Sequence, residues 1–599
     1  MNNQPFNEDQ KQYLQGYFAG LHQSGDAPPF AGTTAGDRLT ASPKAAVSGN
    51  LAAPAADADQ PAALYGTPYK KLSKEEKIKL EENPLDMWNR MVDMAEKDEF
   101  AEGEDVFRFK FHGLFNCKPN QDGYMLRCRM PGCCITAAQM DTLADIAENF
   151  GGGYSHVTTR GNIQIREIQP RETIPTLLAL ADCGLTSKGA GGDNIRNITC
   201  SPLSGVDPRE LMDCRPYARA MHHYILNTRE FYGLPRKFNI AFDGGGQITI
   251  MADTNDIGFF IVEVPEGQDI PAGLYARVEV GGVAGHGHFA KDLGILLRPE
   301  QMVPFAAAII RVFVSEGNRS NRKRARLVYC VEAMGRESFL KAVCDEIDFE
   351  PIPARADLYL PRGPVDRFGH IGFHPQRQEG FSYVGVAMLV GRMSIPQMRL
   401  LADIARKYGS GEVRFTVWQN AILTGIKNED KAAVQSALEG IEYRVETSCA
   451  TAGLTACTGN TGCKLSQTDT KETAAEIARH LDTRLQLRDP LNIVLTGCPN
   501  SCAQHVCADI GLLGIKSKRD GEPIEAYNIS VGGGVGSEQG LARDFLKAVP
   551  RDEVPDTIEA MLRAYQADAA DGESFLEYSR RKEVDDFLTL AQTHKGQTA

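Results

Sequence analysis

Residues 135–168 read ITAAQMDTLADIAENFGGGYSHVTTRGNIQIREI, and residues 393–426 read MSIPQMRLLADIARKYGSGEVRFTVWQNAILTGI. At a constant offset of 258 the two segments agree at 12 of 34 positions without a gap, among them Gln139/Gln397, Met140/Met398, Leu143/Leu401 and Asn162/Asn420. A repeat outranks any local signal, because it says that one supersecondary unit occurs twice. Each copy reads as a strand, a helix capped by Thr136 or Ser394, a glycine turn and a second strand. A second pair follows. Residues 237–260 (KFNIAFDGGGQITIMADTNDIGFF) lie at offset 253 from residues 490–513 (PLNIVLTGCPNSCAQHVCADIGLL), sharing Asn239/Asn492, Ile240/Ile493, Gly244/Gly497 and the Asp-Ile-Gly triplets at 256–258 and 509–511. VGGVAG at 280–285 echoes VGGGVG at 531–536. The order is A–B–A′–B′. A duplicated two-part unit generates a pseudo-twofold axis, and the groove between its halves suits a large ligand.

The chain has 599 residues, which on length alone suggests roughly four compact units. Its 42% hydrophobic and 24% charged residues are ordinary for a globular protein. The formal net charge of −13 argues against nucleic acid or an anionic membrane as a partner. No apolar run approaches the ~20 residues of a membrane span. The best, Phe305–Val314, is interrupted by Arg311. MNNQPFNEDQ lacks the basic and apolar regions of a secretory signal, so a cytoplasmic protein with reduced thiols is expected. Residues 4–22 read as a short helix, residues 27–64 as an Ala/Pro-rich linker, and a helix resumes near Ser73 with Glu76 completing a capping box.

Of the 15 cysteines, four form a pattern. CTGNTGC (457–463) and CPNSC (498–502) give C-x5-C and C-x3-C in turns rich in Gly, Asn, Pro and Ser, which bring sulfurs and backbone N–H groups together. Four thiolates suit zinc or an iron–sulfur cluster, and buried unligated thiols are the remaining reading. The five-residue spacer disfavours a zinc knuckle. Cys183, Cys214, Cys330 and Cys344 read as core thiols. Cys133 and Cys134 are adjacent and ill placed to share a metal. Cys449 and Cys507 flank the pattern and read as packing residues.

Alternation along the strands gathers basic and polar side chains on single faces. Arg127 pairs with Arg129, Arg160 with Asn162, Gln164 and Arg166, and Lys237 with Asn239. One such strand would be an edge with a solvated face; three beside a cysteine motif point to an anion site.

The cysteine motif, the repeat order and these loops resemble the sirohaem- and 4Fe–4S-containing nitrite and sulfite reductase family over residues 105–565. The resemblance implies an α+β fold with paired ferredoxin-like half-domains at 105–187 and 366–445 and two α/β sirohaem/cluster-binding domains at 188–350 and 446–570. These are flanked by 1–104 (helices and linker) and a tail at 571–599. It implies a 4Fe–4S cluster on Cys457, Cys463, Cys498 and Cys502, with Cys502 bridging to the sirohaem iron. Arg127, Arg196, Lys237 and Asn239 correspond to the residues that bind the oxyanion. The sulfite-reducing branch has a second lysine where this chain has Asn239 and the nitrite-reducing branch has asparagine. Nitrite carries one negative charge and sulfite largely two, so the neutral residue favours nitrite. Arg160, Asn162, Gln164, Gln419 and Asn420 are expected to hold macrocycle carboxylates or ring edges. The run GNRSNRKRAR (317–326) also matches a family segment, to bind carboxylates, to line a donor surface, or to lie as a solvated helix face. The implied reaction is reduction of nitrite to ammonium by reduced ferredoxin in a monomer. Sulfite reductase is the alternative, as is a non-catalytic electron carrier. VGGGVG fails the dinucleotide-loop spacing, and the His222-His223 and His286/His288 pairs lack a third metal ligand.

Overall fold

The computed structural model describes residues 63–366, 368–440, 443–446, 448–488 and 490–594. The expected helix at 4–22 and nearly all of the linker lie outside them. Ala63–Leu64 closes a small hairpin with Thr67–Pro68. The helix Lys74–Glu81 follows, capped by Ser73, which accepts from the Glu76 N–H. The reciprocal half of that capping box is replaced, because the Glu76 carboxylate turns inward to Arg319 at 2.7 Å.

The first repeat pair forms two five-stranded sheets that exchange strands. Cys134–Thr136 leaves its own half and pairs antiparallel with Glu412–Phe415, in the register Ile135↔Val413. Arg392–Ser394 makes the reciprocal pairing with Tyr154–Val157, in the register Met393↔Ser155. The two registers are related by the same offset of 258 that relates the sequences. Each exchanged strand runs directly into a repeat helix, Ala137–Asn149 or Ile395–Tyr408. Gln139 closes the first helix's capping box, donating its N–H to Thr136 Oγ1 at 3.1 Å and accepting from the Thr136 N–H at 3.0 Å. Gln397 accepts equivalently from the Ser394 N–H at 3.0 Å. The shared positions Met140, Leu143, Ala144 and Ala147 recur at helical spacing with Met398, Leu401, Ala402 and Ala405, and all eight lie in one core. The sequence identities are therefore the cap and the buried stripe, and the halves share a core across the pseudo-twofold axis.

The second repeat pair forms a six-stranded and a five-stranded sheet, each beginning with parallel strands and ending antiparallel. The Asp-Ile-Gly triplets do the same work in both. The Asn239 N–H donates to Asp256 Oδ2 at 2.8 Å, and the Asn492 N–H to Asp509 Oδ2 at 2.8 Å. The glycine turns pack on those loops. Gly281 N–H donates to Asp256 O, and Gly532 N–H to Asp509 O. A Cβ on Gly282 or Gly533 would lie 2.6 Å from backbone atoms of Asn255 or Val506. VGGGVG is thus a packing turn of the repeat. Among the described residues no helix is long and apolar enough to cross a membrane.

Candidate active site and cluster centre

The strands Leu454–Ala456 and Ile493–Thr496 are parallel neighbours. Cys457 follows the first and Gly497-Cys498 the second, so both cysteine loops leave the same end of the sheet, the position where open α/β sheets bind ligands. Close packing fixes the loops. The Gly497 N–H donates to Cys457 Sγ at 3.3 Å. A Cβ at Gly497 would sit 1.7 Å from Ser466 Oγ. Ser501 and Gln504 bracket Cys502 with left-handed backbone angles, φ 48° and 66°. Cys498 is buried, Cys457 and Cys463 are half-buried, and Cys502 is exposed. Burial, reinforced by Cys502, pushes the Cys457 thiol above its ordinary pKa; for Cys498 burial does so first, with Cys502, Cys457 and Cys463 adding to it. Neighbouring thiolates repel one another unless positive charge is placed among them. No three of them lie within 4.8 Å of one another. A tetrahedral zinc, with Zn–S near 2.3 Å, holds its sulfurs about 3.8 Å apart. The donor set therefore fits a multi-iron cluster and not a single ion.

Arg127 and Lys237 lie near Cys502, and Arg196 adjoins both. Arg127 ends the strand Tyr124–Arg127, lays its guanidinium 4.6 Å from the Phe115 ring and donates to Ala190 O at 3.4 Å. Arg196 donates from Nη2 to Gly192 O at 2.8 Å, and its backbone N–H donates to Phe238 O at 2.8 Å. That second bond ties the Arg196 loop to the segment carrying Lys237. Burial pulls the Arg127 pKa down to about 10 and that of Lys237 to about 7, while Cys502 works in the opposite direction on both. Burial lowers Arg196 well below its usual value, and Arg127 lowers it further. Like charges held together and partly desolvated are in a high-energy arrangement that an anion relieves. Cys117, which the sequence reading passed over, is a further buried thiol, and it senses both Arg166 and Cys463.

In the run 317–326, Arg319, Arg322 and Arg326 turn inward to acidic partners, while Lys323 and Arg324 stay exposed. Arg322 makes a bidentate pair with Asp193 at 2.7 and 2.8 Å, in the loop that carries Arg196. Arg326 donates to Asp256 Oδ2 at 2.6 Å, the carboxylate oxygen that also accepts from the Asn239 N–H. Arg319 binds Glu76 at 2.7 Å and brings in the helix Lys74–Glu81. These arginines tie together the loops that carry Arg196 and Asn239 and the helix Lys74–Glu81. Asp256 is fully buried and Arg326 nearly so. Asp256→Ala, which leaves Arg326 buried and unpaired, is expected to cost about 3–5 kcal/mol of stability, measured by urea unfolding.

Five residues expected at the cofactor also make hydrogen bonds within the protein. Asn162 donates to Cys128 O at 2.7 Å and accepts from the Thr158 hydroxyl. Gln419 donates to Val157 O and Ala456 O and accepts from the Ala456 N–H, all at 3.0 Å. Asn420 meets His370 and Ala452 O and accepts from the Met388 N–H. Gln164 accepts from Arg166, which reaches on to Gly462 O and Thr458 Oγ1 in the first cysteine loop. Arg160 donates to Asn197 O, Asn255 Oδ1 and Ile240 O. These side chains are braces between elements, with their main hydrogen-bonding capacity satisfied by protein. Arg129 is fully buried and donates to Ile195 O at 2.7 Å and to His222 Nδ1 at 3.2 Å. Cys133 is buried and Cys134 half-buried, and burial pushes both thiols to about 12. His286 bonds the Tyr329 hydroxyl at 2.9 Å.

A fourfold thiol centre beside clustered cations, in a duplicated α+β frame, defines an iron–sulfur oxidoreductase that acts on an anion. The family model for the nitrite and sulphite reductase 4Fe-4S domain matches residues 191–350 and 450–597, and that for the nitrite/sulfite reductase ferredoxin-like half domain matches 118–182 and 374–441. The chain is 33% identical over 521 residues to the chloroplastic ferredoxin–nitrite reductase of Zea mays, covering 83% of this chain and 90% of that one. It is 34% identical over 502 residues to the ferredoxin–nitrite reductase of Synechococcus elongatus (82% and 96% covered). It is 32% identical over 500 residues to the assimilatory ferredoxin-dependent nitrite reductase of Haloferax mediterranei (79% and 84% covered). The solved structure of Mycobacterium tuberculosis NirA matches with a TM-score of 0.79 at 27% identity, covering 86% of this chain and 97% of that one. The chain belongs to the nitrite and sulfite reductase family.

Proposed function

We propose that this chain reduces nitrite to ammonium, NO2⁻ + 8 H⁺ + 6 e⁻ → NH4⁺ + 2 H2O, with the electrons supplied singly by reduced ferredoxin. The observation that carries the reading is the grouping of Arg127 and Lys237 beside Cys502, with Arg196 adjoining both and the backbone of the neutral Asn239 held by Asp256. Relatives named ferredoxin–nitrite reductase in a plant, a cyanobacterium and an archaeon support it. Cys457, Cys463, Cys498 and Cys502 would hold the 4Fe–4S cluster, with Cys502, the exposed thiol, on the side that would meet sirohaem. When bound, these groups supply a coordination site for the anion and a relay for electrons. The protein's part is electrostatic. Arg127 and Arg196 fix the anion, and they need no reorganisation as charge develops on oxygen. Lys237, brought to about 7 chiefly by burial and next by Arg326, holds its proton loosely near neutrality and gives it up to a basic oxygen or nitrogen. Asn239 donates a neutral hydrogen bond that orients the substrate. We place the enzyme in the cytoplasm as a monomer, following its charge and reduced thiols.

Steady-state kinetics of the reduced holoenzyme test this reading. kcat/KM for nitrite is expected to exceed that for sulfite, and the reverse order would overturn the assignment. Asn239→Lys adds a cation to a partly desolvated anion site, so it should raise the sulfite-to-nitrite ratio by about tenfold or more. An unchanged ratio would remove Asn239 as the selecting residue.

A further inference from the structure

The strand exchange creates a cavity. Where Arg392–Ser394 adds to Tyr154–Val157, in the register Arg392↔His156, a pocket of about 480 Å³ opens to the surface. Tyr154, His156, Arg166, Arg392, Gln397 and Thr461 line it, and none of its described lining residues is acidic. Thr458, Thr461 and Gly462 complete the wall. All three belong to the loop between Cys457 and Cys463, so this cavity abuts the peptide that covers the cluster thiols.

Its hydrogen bonding is incomplete in a directional way. Arg166 donates from Nε to His156 Nδ1 at 3.3 Å. A guanidinium only donates, so Nδ1 is the bare nitrogen and a neutral ring carries its hydrogen on Nε2. The ring is neutral because burial, then Lys471, Arg166 and Arg392, hold its pKa well below the usual histidine value. His156 is 7% exposed, and Nε2 has no hydrogen-bond partner among the described residues. Other polar groups at the site are matched: the Tyr154 hydroxyl donates to Glu167 at 2.7 Å, and Gln121 donates to that hydroxyl. Arg392, with 48% of its side chain exposed, stands at the rim with Glu472 4.0 Å away, and the buried Lys471 ammonium donates to Val390 O beneath. A buried N–H without an acceptor, ringed by three cations, calls for an anionic oxygen.

We propose that this seam cavity is the anchor for a carboxylate side chain of the acidic electron-donor protein, with Arg392 and the His156 Nε2–H as its partners. The assignment rests on the ferredoxin-dependent reading above. Charge complementarity selects this occupant. The chain carries −13 overall, so an acidic donor is repelled by most of its surface and requires a local cationic contact. A donor seated here is separated from the cluster thiols by the 458–462 loop. Each docking oxidises the donor by one electron and reduces the cluster by one, so six dockings complete one nitrite.

The test compares two reductants of the holoenzyme: a reduced acidic 2Fe–2S ferredoxin, and dithionite-reduced methyl viologen, a small cation that needs no protein contact. Arg392→Glu should raise KM for ferredoxin at least tenfold at low ionic strength and flatten its salt dependence, while viologen-driven turnover stays within twofold of wild type. Gln397→Glu, which keeps the helix cap, should act in the same direction. An unchanged ferredoxin KM in both variants would overturn the anchor. Equal loss with both reductants would also overturn it, assigning Arg392 to folding or to the cluster. So would saturable inhibition by inorganic phosphate with an unaltered ferredoxin KM in Arg392→Glu, which would make the cavity a small-anion site. Absence of viologen-driven nitrite reduction in wild type would instead strike the catalytic reading.

Discussion

Cys502→Ser is expected to lower nitrite turnover by three orders of magnitude or more, the largest single effect in the molecule. The cysteine loops are organised around their sulfurs, and removing one ligand of a cooperative set forfeits the function of the whole set. Cys502 is the exposed thiol of the four and the one whose charge is felt by both Arg127 and Lys237. Its loss therefore separates the cluster from the anion site as well as removing a ligand. The measurement is iron and labile-sulfide content, the visible spectrum and turnover on one sample. Cluster signals lost or altered, with native far-ultraviolet circular dichroism, is the expected result. Cys214→Ser is the control. That thiol is buried in the core of the second unit, away from the cysteine loops, so stability should fall slightly while cluster content holds. Equal losses in both variants would mean that Cys502 acts only through folding.

Arg196→Gln and Lys237→Gln are expected to reduce kcat/KM for nitrite by about 10²–10³ each, the range for removing one preorganised group from a charge-stabilising site. The two should not be additive. The Arg196 N–H bonds Phe238 O, next to Lys237, so either change disturbs the other. A combined loss smaller than the product of the single losses identifies one shared pocket. Cofactor content is the accompanying readout. It should remain at wild-type level, and a parallel loss of cofactor would assign these cations to cofactor retention. Arg196→Lys should recover part of the rate, since it keeps the charge but not the bond geometry to Gly192 O.

The repeat was readable because its shared residues obey local rules. Thr136 with Gln139 and Ser394 with Gln397 are helix caps, and Met140 through Ala147 are a helical stripe. The cysteine loops were readable because ligand spacing is local too. The strand exchange was not. Nothing in residues 134–136 says that their neighbour lies near residue 413, because pairing across a pseudo-twofold axis is a tertiary choice. The same blindness hid the protein partners of Asn162, Gln164, Gln419 and Asn420. Alternation places a polar side chain on a face, but it does not tell what meets that face. Here backbone carbonyls, backbone N–H groups and Arg166 meet it. The basic run deceived for a related reason. Its acidic partners lie 70, 129 and 243 residues away, at Asp256, Asp193 and Glu76. The repeated Asp-Ile-Gly triplet was the signal that could have identified Asp256, since an acid duplicated at the same place in both units marks a structural anchor.

The central claim is that the Cys502 side of the cluster and the Arg127–Arg196–Lys237 pocket form one centre that reduces nitrite by six electrons. Its most direct test is stoichiometric. Under anaerobic conditions, with limiting nitrite, the ferredoxin oxidised and the ammonium formed by the purified holoenzyme are measured together. The account predicts six ferredoxins oxidised for each ammonium, with no accumulated intermediate of nitrogen. No ammonium from nitrite, together with sulfide formed from sulfite at a higher kcat/KM, would contradict it.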